Sequence, residues 1–394
     1  MLSPSPRERV NQALAHQPPD RTPVDFLAAP QIWSKLLDHF DIGSLEDSPT
    51  DLLDPRWEML LRRLQVDCRV LSYDQFFQPP DSFIKAGCQP DWYRSLGRST
   101  PSRMWRQYGQ DGVNYDIWGR GFVLKENPTG AYEQNAVFPL ESAQTAADID
   151  AHPWPRPDWW DFSAARQAIN FINSGTQYHI RYRIGSVFEV AWQMRGMEKF
   201  LMELSMEPAL PMRIMSTLTD IYLAVIERFL EEAGDAVDMV YFYDDIATQN
   251  NLMISKKMLQ KFIFPHHARL IDLAKKHGKR VMYHSDGAIA PVIPDLIDLG
   301  VDVLNPIQKD AKGMEPDFLK ETFGGRLSFH GGIDIIRTLP LGTPAEVRAE
   351  VRQCVGTLGK NGGYILASSH HIQPNTPLEN VLEMYDLNNR LMEG

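Results

Sequence analysis

A histidine and a carboxylate two residues apart, His284 and Asp286 in the run Tyr283-His284-Ser285-Asp286-Gly287-Ala288, are the first residues of this chain to suggest chemistry. In an extended backbone, positions i and i+2 face the same side, so both side chains can converge on one ligand. Two more imidazoles, His370 and His371, stand far downstream. Two imidazoles and a carboxylate with one position left open form the donor set of a catalytic zinc site. His284, Asp286 and one of His370 or His371 are therefore a metal candidate. Which of the two adjacent histidines faces inward depends on a one-residue register in an extended stretch. A substrate site built only on hydrogen bonds competes with the metal reading at the same residues.

Other polar groups sit at the ends of apolar runs. Asp244 and Asp245 are paired acids, and like charges in a closed site raise a pKa and favour proton transfer or cation binding, although one of the two can serve as a helix cap. Asp25, Tyr73, Asp74, Glu189, Asn305, Gln308, His330 and Asp334 complete the set. Asp25 and Asp74 read equally as caps, and His330 equally as a hydrogen-bonded structural histidine. Asn305-Pro306-Ile307-Gln308 is polar enough to bind a ligand and also makes an ordinary turn. Gly331-Gly332 would let the backbone approach a ligand closely.

Each of these residues follows a short β-rich run. The runs are Thr22 to Leu27, Val66 to Leu71, His179 to Gly185, Val237 to Tyr243, Lys279 to His284, Val301 to Asn305, Arg326 to Gly331 and Gly363 to Ala367. Helical patterns over Pro208 to Glu232, Ser255 to His277, Pro344 to Leu358 and Pro377 to Met392 alternate with them, and a first helix over Ser5 to His16 has Ser5 as its cap and Pro6 at its first position. Eight strands alternating with helices predict a single-domain (β/α)8 TIM barrel, in which functional groups belong on the loops after each strand. A doubly wound open sheet is the alternative, but no Gly-x-Gly-x-x-Gly turn follows the first strand.

Residues 73 to 178 break the rhythm and are expected to form an insertion after the second strand. Trp92, Trp105, Trp118, Trp154, Trp159 and Trp160 crowd it. These rings either pack the insertion onto the barrel or wall a flat substrate as a lid. Met104 to Gln107 and Gly121 to Lys125 are expected to pair as a hairpin.

With 394 residues, 43% hydrophobic and 23% charged, the composition is that of a globular protein, and a net charge of -11 speaks against a nucleic-acid or anionic-membrane surface. Neither a signal-peptide pattern nor a membrane-length apolar window is evident, so a cytoplasmic location is expected. Three scattered cysteines, Cys68, Cys88 and Cys354, are too few for a disulfide framework, and Cys354 reads as a buried free thiol.

Several stretches together resemble the uroporphyrinogen decarboxylase-like superfamily. They are Tyr243-Asp244-Asp245, His284-Ser285-Asp286-Gly287, residues 300–308, Phe329-His330-Gly331-Gly332-Ile333-Asp334, residues 339–347 and residues 362–367, with weaker similarity at residues 19–24 and 154–158. The resemblance covers most of the chain and implies a (β/α)8 barrel carrying one of two chemistries. One is cofactor-free decarboxylation of a tetrapyrrole; the other is zinc-dependent methyl transfer to or from a corrinoid protein. The decarboxylases carry an Arg-Gln-Ala-Gly-Arg-Tyr type segment after the first strand, where this chain reads Asp25-Phe26-Leu27-Ala28-Ala29-Pro30. Thiol-specific methyltransferases carry His-x-Cys and a second Cys after the last strand. Here His284 matches the histidine, Asp286 stands where the first cysteine would be, and His370 or His371 falls near the second.

Harder ligands leave zinc a stronger Lewis acid, which suits an oxygen-centred substrate. The resemblance thus implies a methyltransferase or O-demethylase with zinc on His284, Asp286 and His370 or His371, and with a corrinoid on a partner protein as methyl acceptor. Asp244, Asp245 and His330 would orient groups or move protons. Asp25, Tyr73, Glu189, Asn305, Gln308 and Asp334 would meet a small aromatic methoxy substrate. Family members are often dimers, so the resemblance allows a homodimer, although no heptad or interface stripe in the sequence marks one. Two other readings are a cofactor-free decarboxylase of a porphyrinogen or other polycarboxylate, drawing on Arg181, Arg183 and Arg195, and a non-catalytic corrinoid or tetrapyrrole binder.

Overall fold

Alternating strand and helix signals become a curled parallel sheet wrapped by helices in a computed structural model that describes residues 3–43, 52–95, 102–127 and 130–391. In chain order the strands are β1 (Cys68–Ser72), β2 (Cys88–Ser95), β3 (Ser102–Gly109), β4 (Asn114–Tyr115), β5 (Gly121–Asn127), β6 (Gly130–Val137), β7 (His179–Arg183), β8 (Met239–Tyr243), β9 (Arg280–His284), β10 (Val303–Ile307), β11 (Ser328–Ile333) and β12 (Tyr364–Ser368). Seven of them, β1 followed by β7 to β12, pair in parallel in that order.

The segment predicted as the first strand is present as two parallel bridges, Val24 to Leu366 and Ala28 to Ile372, and not as a continuous ladder. Pro23 has no N–H to donate, and the amide of Val24 goes to the Asp67 side chain at 2.9 Å instead of to a strand carbonyl. The amide of Asp25 donates to Leu366 O at 2.9 Å and the amide of Asp67 donates to Val24 O at 2.9 Å. The extended stretch therefore stands between β12 and the entry to β1, in the eighth position of a TIM-barrel-like ring.

Strand alternation sorts the ring's interior. Cys68, Met239, Met282, Val303 and Ile365 form a small apolar cluster with Val10 and Leu14. Those last two come from the helix Pro6–Leu14, whose Ser5/Glu8 capping box matches the expected start. This helix plugs the end of the ring where the strands begin, and polar side chains take over toward the strands' C-terminal ends.

The helix Ala209–Ala233 lays Ile214, Leu218, Tyr222, Val225 and Phe229 inward at three- and four-residue spacing. Contrary to the sequence reading, residues 209–236 are long and apolar enough to cross a membrane by length and composition, with half of that window buried inside the protein. The predicted helix Ser255 to His277 is broken into a short turn, a π-helical stretch Leu259–Ile263 and the helix Phe264–Lys276. Pro265 cannot donate an intrahelical bond, and the wider turn accommodates that loss. The last predicted helix is shorter, Leu378–Met384, and its expected end at Met392 lies outside the described residues. Cys354 is a buried free thiol on the helix Pro344–Thr357.

Between β1 and β7 the chain forms a five-stranded antiparallel sheet, β2 to β6 in sequence order. The expected hairpin is corrected here, because β4 intervenes and pairs with both β3 and β5. The Asp111-Gly112 turn, with Gly112 at φ 79°, folds Asn114 and Tyr115 back onto β3 before β5 arrives. The tryptophans join an aromatic cluster beneath this sheet: Trp160 packs on Phe77 at 4.7 Å, Trp159 on Phe83 at 4.9 Å and Trp118 on Tyr222 at 5.4 Å.

Candidate metal centre and substrate pocket

The loop after β9 is fixed by its backbone. Gly287 adopts φ +86°, and a Cβ there would come within 2.5 Å of Thr248 O, so only glycine fits. Every amide from Ser285 to Ala288 has a partner: Asn305 O at 2.9 Å, Asp245 Oδ1 at 2.9 Å, Gln308 Oε1 at 2.9 Å and Thr248 O at 2.8 Å. Gln308 is thus used to hold the loop, and it does not line the pocket.

The loop brings His284 and Asp286 to His370, with one donor atom of each lying within 4.8 Å of the others. His284 Nε2 lies 3.8 Å from Asp286 Oδ1, and His370 Nε2 lies 3.9 Å from Asp286 Oδ2. These separations are too long for hydrogen bonds. Two ligands, each about 2.0–2.2 Å from a shared tetrahedral zinc, lie roughly 3.3–3.6 Å apart, close to the observed spacing. Asp286 Oδ1 is buried with no hydrogen-bond partner. Asp245 Oδ1 is also 3.8 Å from His284 Nε2. His371 turns to His370, the two Nδ1 atoms being 3.0 Å apart.

Behind His284 runs a directed chain of hydrogen bonds. His284 Nδ1 donates to Asn305 Oδ1 at 2.6 Å, Asn305 Nδ2 donates to His330 Nδ1 at 2.6 Å, and His330 Nε2 donates to Asp25 Oδ2 at 2.8 Å. The Asp25 carboxylate can only accept, so His330 Nε2 carries the proton, Nδ1 of the neutral ring accepts, and Asn305 must turn Nδ2 to it and Oδ1 to His284. His284 consequently carries its proton on Nδ1 and offers the Nε2 lone pair to the cluster, as a metal-ligating histidine does. Burial alone would raise the Asp25 pKa, but Arg181 and His330 more than reverse it and hold the carboxyl below the usual range. Burial lowers the His330 pKa against the opposing pull of Asp25, which favours the neutral imidazole.

A pocket of about 240 Å³ opens beside the cluster, and Arg183, Glu189, Tyr241, Tyr243, Asp245 and His371 are among its walls. Burial pushes the Glu189 pKa up to about 7, with the charges of Asp245 and Asp244 adding and Arg120 opposing. Burial also raises that of Asp245. The folded value of Glu189 lies above its ordinary value of 4.5. Its contribution to stability is therefore fully present below about pH 4.5 and lost as pH rises through about 7. The Glu189→Gln variant is expected to be more stable than the parent by about 1–2 kcal/mol at pH 8, after allowance for pocket water, and equal to it near pH 4.5. Urea unfolding at both pH values checks this, and a gain of the same size at both would contradict it.

Other expected site residues are placed elsewhere. Asp244 is fully buried, accepting from Ser186 Oγ, from the amides of Val187, Phe188 and Glu189, and from His267 Nε2. It caps the helix Phe188–Arg195 from the neighbouring strand and has no face on the pocket. Tyr73 is buried against Trp160 and Tyr222. Asp334 accepts from the amides of Ile336 and Arg337 in a turn, which short aspartates favour. Gly331 and Gly332 meet Pro306 and Tyr364 and not a ligand cavity. None of the six crowded tryptophans lines the pocket; its aromatic walls are Tyr241 and Tyr243. Those two were missed, although alternation along β8 places positions 239, 241 and 243 on the ring's inner face.

Residues 133–391 match the family model described as uroporphyrinogen decarboxylase (URO-D). Among curated proteins, a methylated-thiol–coenzyme M methyltransferase of Methanosarcina mazei is 23% identical over 198 residues, covering 49% of this chain and 48% of that protein. A uroporphyrinogen decarboxylase of an Anaeromyxobacter species is 25% identical over 256 residues, covering 62% of this chain and 68% of that one. A solved methyltransferase structure from Methanosarcina mazei shares the fold with a TM-score of 0.60 at 18% identity, covering 96% of this chain and 97% of its own. Since the family model spans well over half of the sequence, the chain belongs to the uroporphyrinogen decarboxylase family.

Proposed function

We propose that this protein is a zinc-dependent methyltransferase that takes a methyl group from a small, aromatic methoxy substrate and passes it to a corrinoid carried by a partner protein. The single observation that carries the reading is the convergence of His284, Asp286 and His370 around the unpartnered buried oxygen of Asp286, with His284 held in the ligating tautomer by Asn305. That donor set fits zinc with a position left open. Bound there, zinc supplies Lewis acidity toward the oxygen that bears the methyl group.

The chain's own residues do the rest. Tyr241 and Tyr243 flank the ring, while the relay from Asn305 to Asp25 keeps His284 fixed. Glu189, whose carboxyl burial pushes up to about 7 on the pocket wall, would give a proton to the departing oxygen. In the overall step the carbon–oxygen bond would break, the oxygen keeping its electron pair and taking that proton, with a cobalt(I) corrinoid of the partner protein as the methyl acceptor. The pocket's volume, below the roughly 300–1,000 Å³ of drug-sized sites, suits a single ring better than a tetrapyrrole. The methyltransferase among the relatives supports the reaction class.

A decarboxylase reading draws on the Anaeromyxobacter relative, but it asks for several free arginines to meet a polycarboxylate, and of the three it would use Arg181 is answered by Asp25 and Arg195 by Glu203, which leaves Arg183. The experiment is zinc analysis of protein purified without chelator, followed by incubation with methoxylated aromatics and cob(I)alamin. About one zinc per chain and growth of methylcob(III)alamin absorbance are expected. Protein that is active without metal in releasing carbon dioxide from a polycarboxylate would replace this reading with the decarboxylase; binding without turnover would replace it with a tetrapyrrole or corrinoid binder.

A further inference from the structure

Two residues along β7 from Arg181, the side chain of Arg183 also faces the pocket, and its electrostatic situation differs. Arg181 is paired with Asp25, and Arg120, in the turn before β5, is paired with Asp116. Arg183 is half-buried, and no described carboxylate lies within 4.0 Å of it, the charge of Asp74 reaching it from farther off. Its guanidinium rests 4.6 Å from the centre of the Tyr243 ring, a cation–π contact that supports a charge without neutralising it. A charge removed from bulk water is costly until an opposite charge meets it. The planar fork of an arginine also matches a carboxylate with two parallel hydrogen bonds.

We infer that Arg183 docks an anionic group of the substrate, and that the methoxy compound taken by this pocket is a carboxylate such as a methoxybenzoate. The inference rests on the reading of the pocket given above and adds the substrate's charge. Pocket walls from three strands set the arrangement. Arg183 ends β7, Tyr241 and Tyr243 come from β8, and His284 ends β9, so an aromatic ring against the tyrosines would lie between the arginine and the metal candidate.

The test is calorimetric binding of 4-methoxybenzoate and of its neutral counterpart, 4-methoxybenzyl alcohol, to the zinc-loaded and the chelator-treated protein. The parent is expected to bind the acid at least tenfold more tightly than the alcohol, with or without zinc. Arg183→Met should erase that preference while leaving alcohol binding within about twofold, and Arg183→Lys should keep part of it, since a point charge lacks the fork. Unchanged alcohol binding shows that the variants have kept the pocket, and a thermal melt checks their folding. Equal affinity for acid and alcohol, no binding of either, or a preference that survives Arg183→Met overturns the inference. An Arg183-dependent preference in a protein that forms no methylcob(III)alamin would uphold the anion site and overturn the methyl-transfer reading instead.

Discussion

Replacing His284 with alanine is expected to leave the protein folded, to empty it of zinc, and to lower methyl transfer by about three orders of magnitude or more. The substitution removes one of the three donors that converge among the described residues, and a carboxylate and one imidazole cannot hold a catalytic zinc against competing chelators. Folding should survive because His284 faces the pocket at the end of β9 and takes no part in either apolar cluster. Elemental analysis and a competitive chelator titration measure the metal, and thermal unfolding checks the fold. Asn305→Ala supplies the graded companion. It leaves all three donors in place but releases the His284 ring and cuts the chain to His330, so zinc affinity should fall about 10- to 100-fold. His371→Ala removes a pocket wall outside the donor cluster and should lose far less metal than His284→Ala. Stoichiometric zinc and undiminished transfer in His284→Ala would end the metal reading.

What the sequence disclosed about this site followed the strand ends. The ring's strands were legible because each is a short apolar run bounded by turn residues and followed by an amphipathic stretch, as at Lys279 to His284. The first strand was harder, since it is held by two bridges and the amide of Val24 is spent on the Asp67 side chain. Polar residues at strand ends were legible as candidates, but their directions were not. Asp244 and Asp245 are adjacent in sequence and point to opposite duties, one capping a helix inside the protein and the other facing the pocket. The same alternation that separates them would have nominated Tyr241 and Tyr243, had it been applied inside the strand as well as after it. The relay from His284 to Asp25 could not be read at all, because it joins three strands and the extended first segment through side chains whose register only the closed ring defines.

Asp244→Ala is expected to cost about 3–5 kcal/mol of stability, the largest loss from a single side chain near this site. The carboxylate is wholly buried and is the meeting point of three backbone amides, the Ser186 hydroxyl and His267 Nε2. Truncation strands those donors away from water, and the amide of Glu189 alone has a second acceptor, Ser186 Oγ. Val187, at the N-cap of the helix Phe188–Arg195, has no side chain to cap it, so Asp244, just past β8, does so together with Ser186 Oγ and thereby fixes the turn that carries Glu189 into the pocket. Asp244→Asn should lose about half as much, because its amide keeps one accepting oxygen but turns a donor toward N–H groups that need an acceptor. Urea unfolding separates this structural duty from a catalytic one. A cap predicts that the midpoint falls in both variants, in the order Ala before Asn, and that transfer declines with loss of the Glu189 position. A catalytic aspartate predicts the reverse pattern, with transfer abolished in Asp244→Asn while the unfolding midpoint stays where it was.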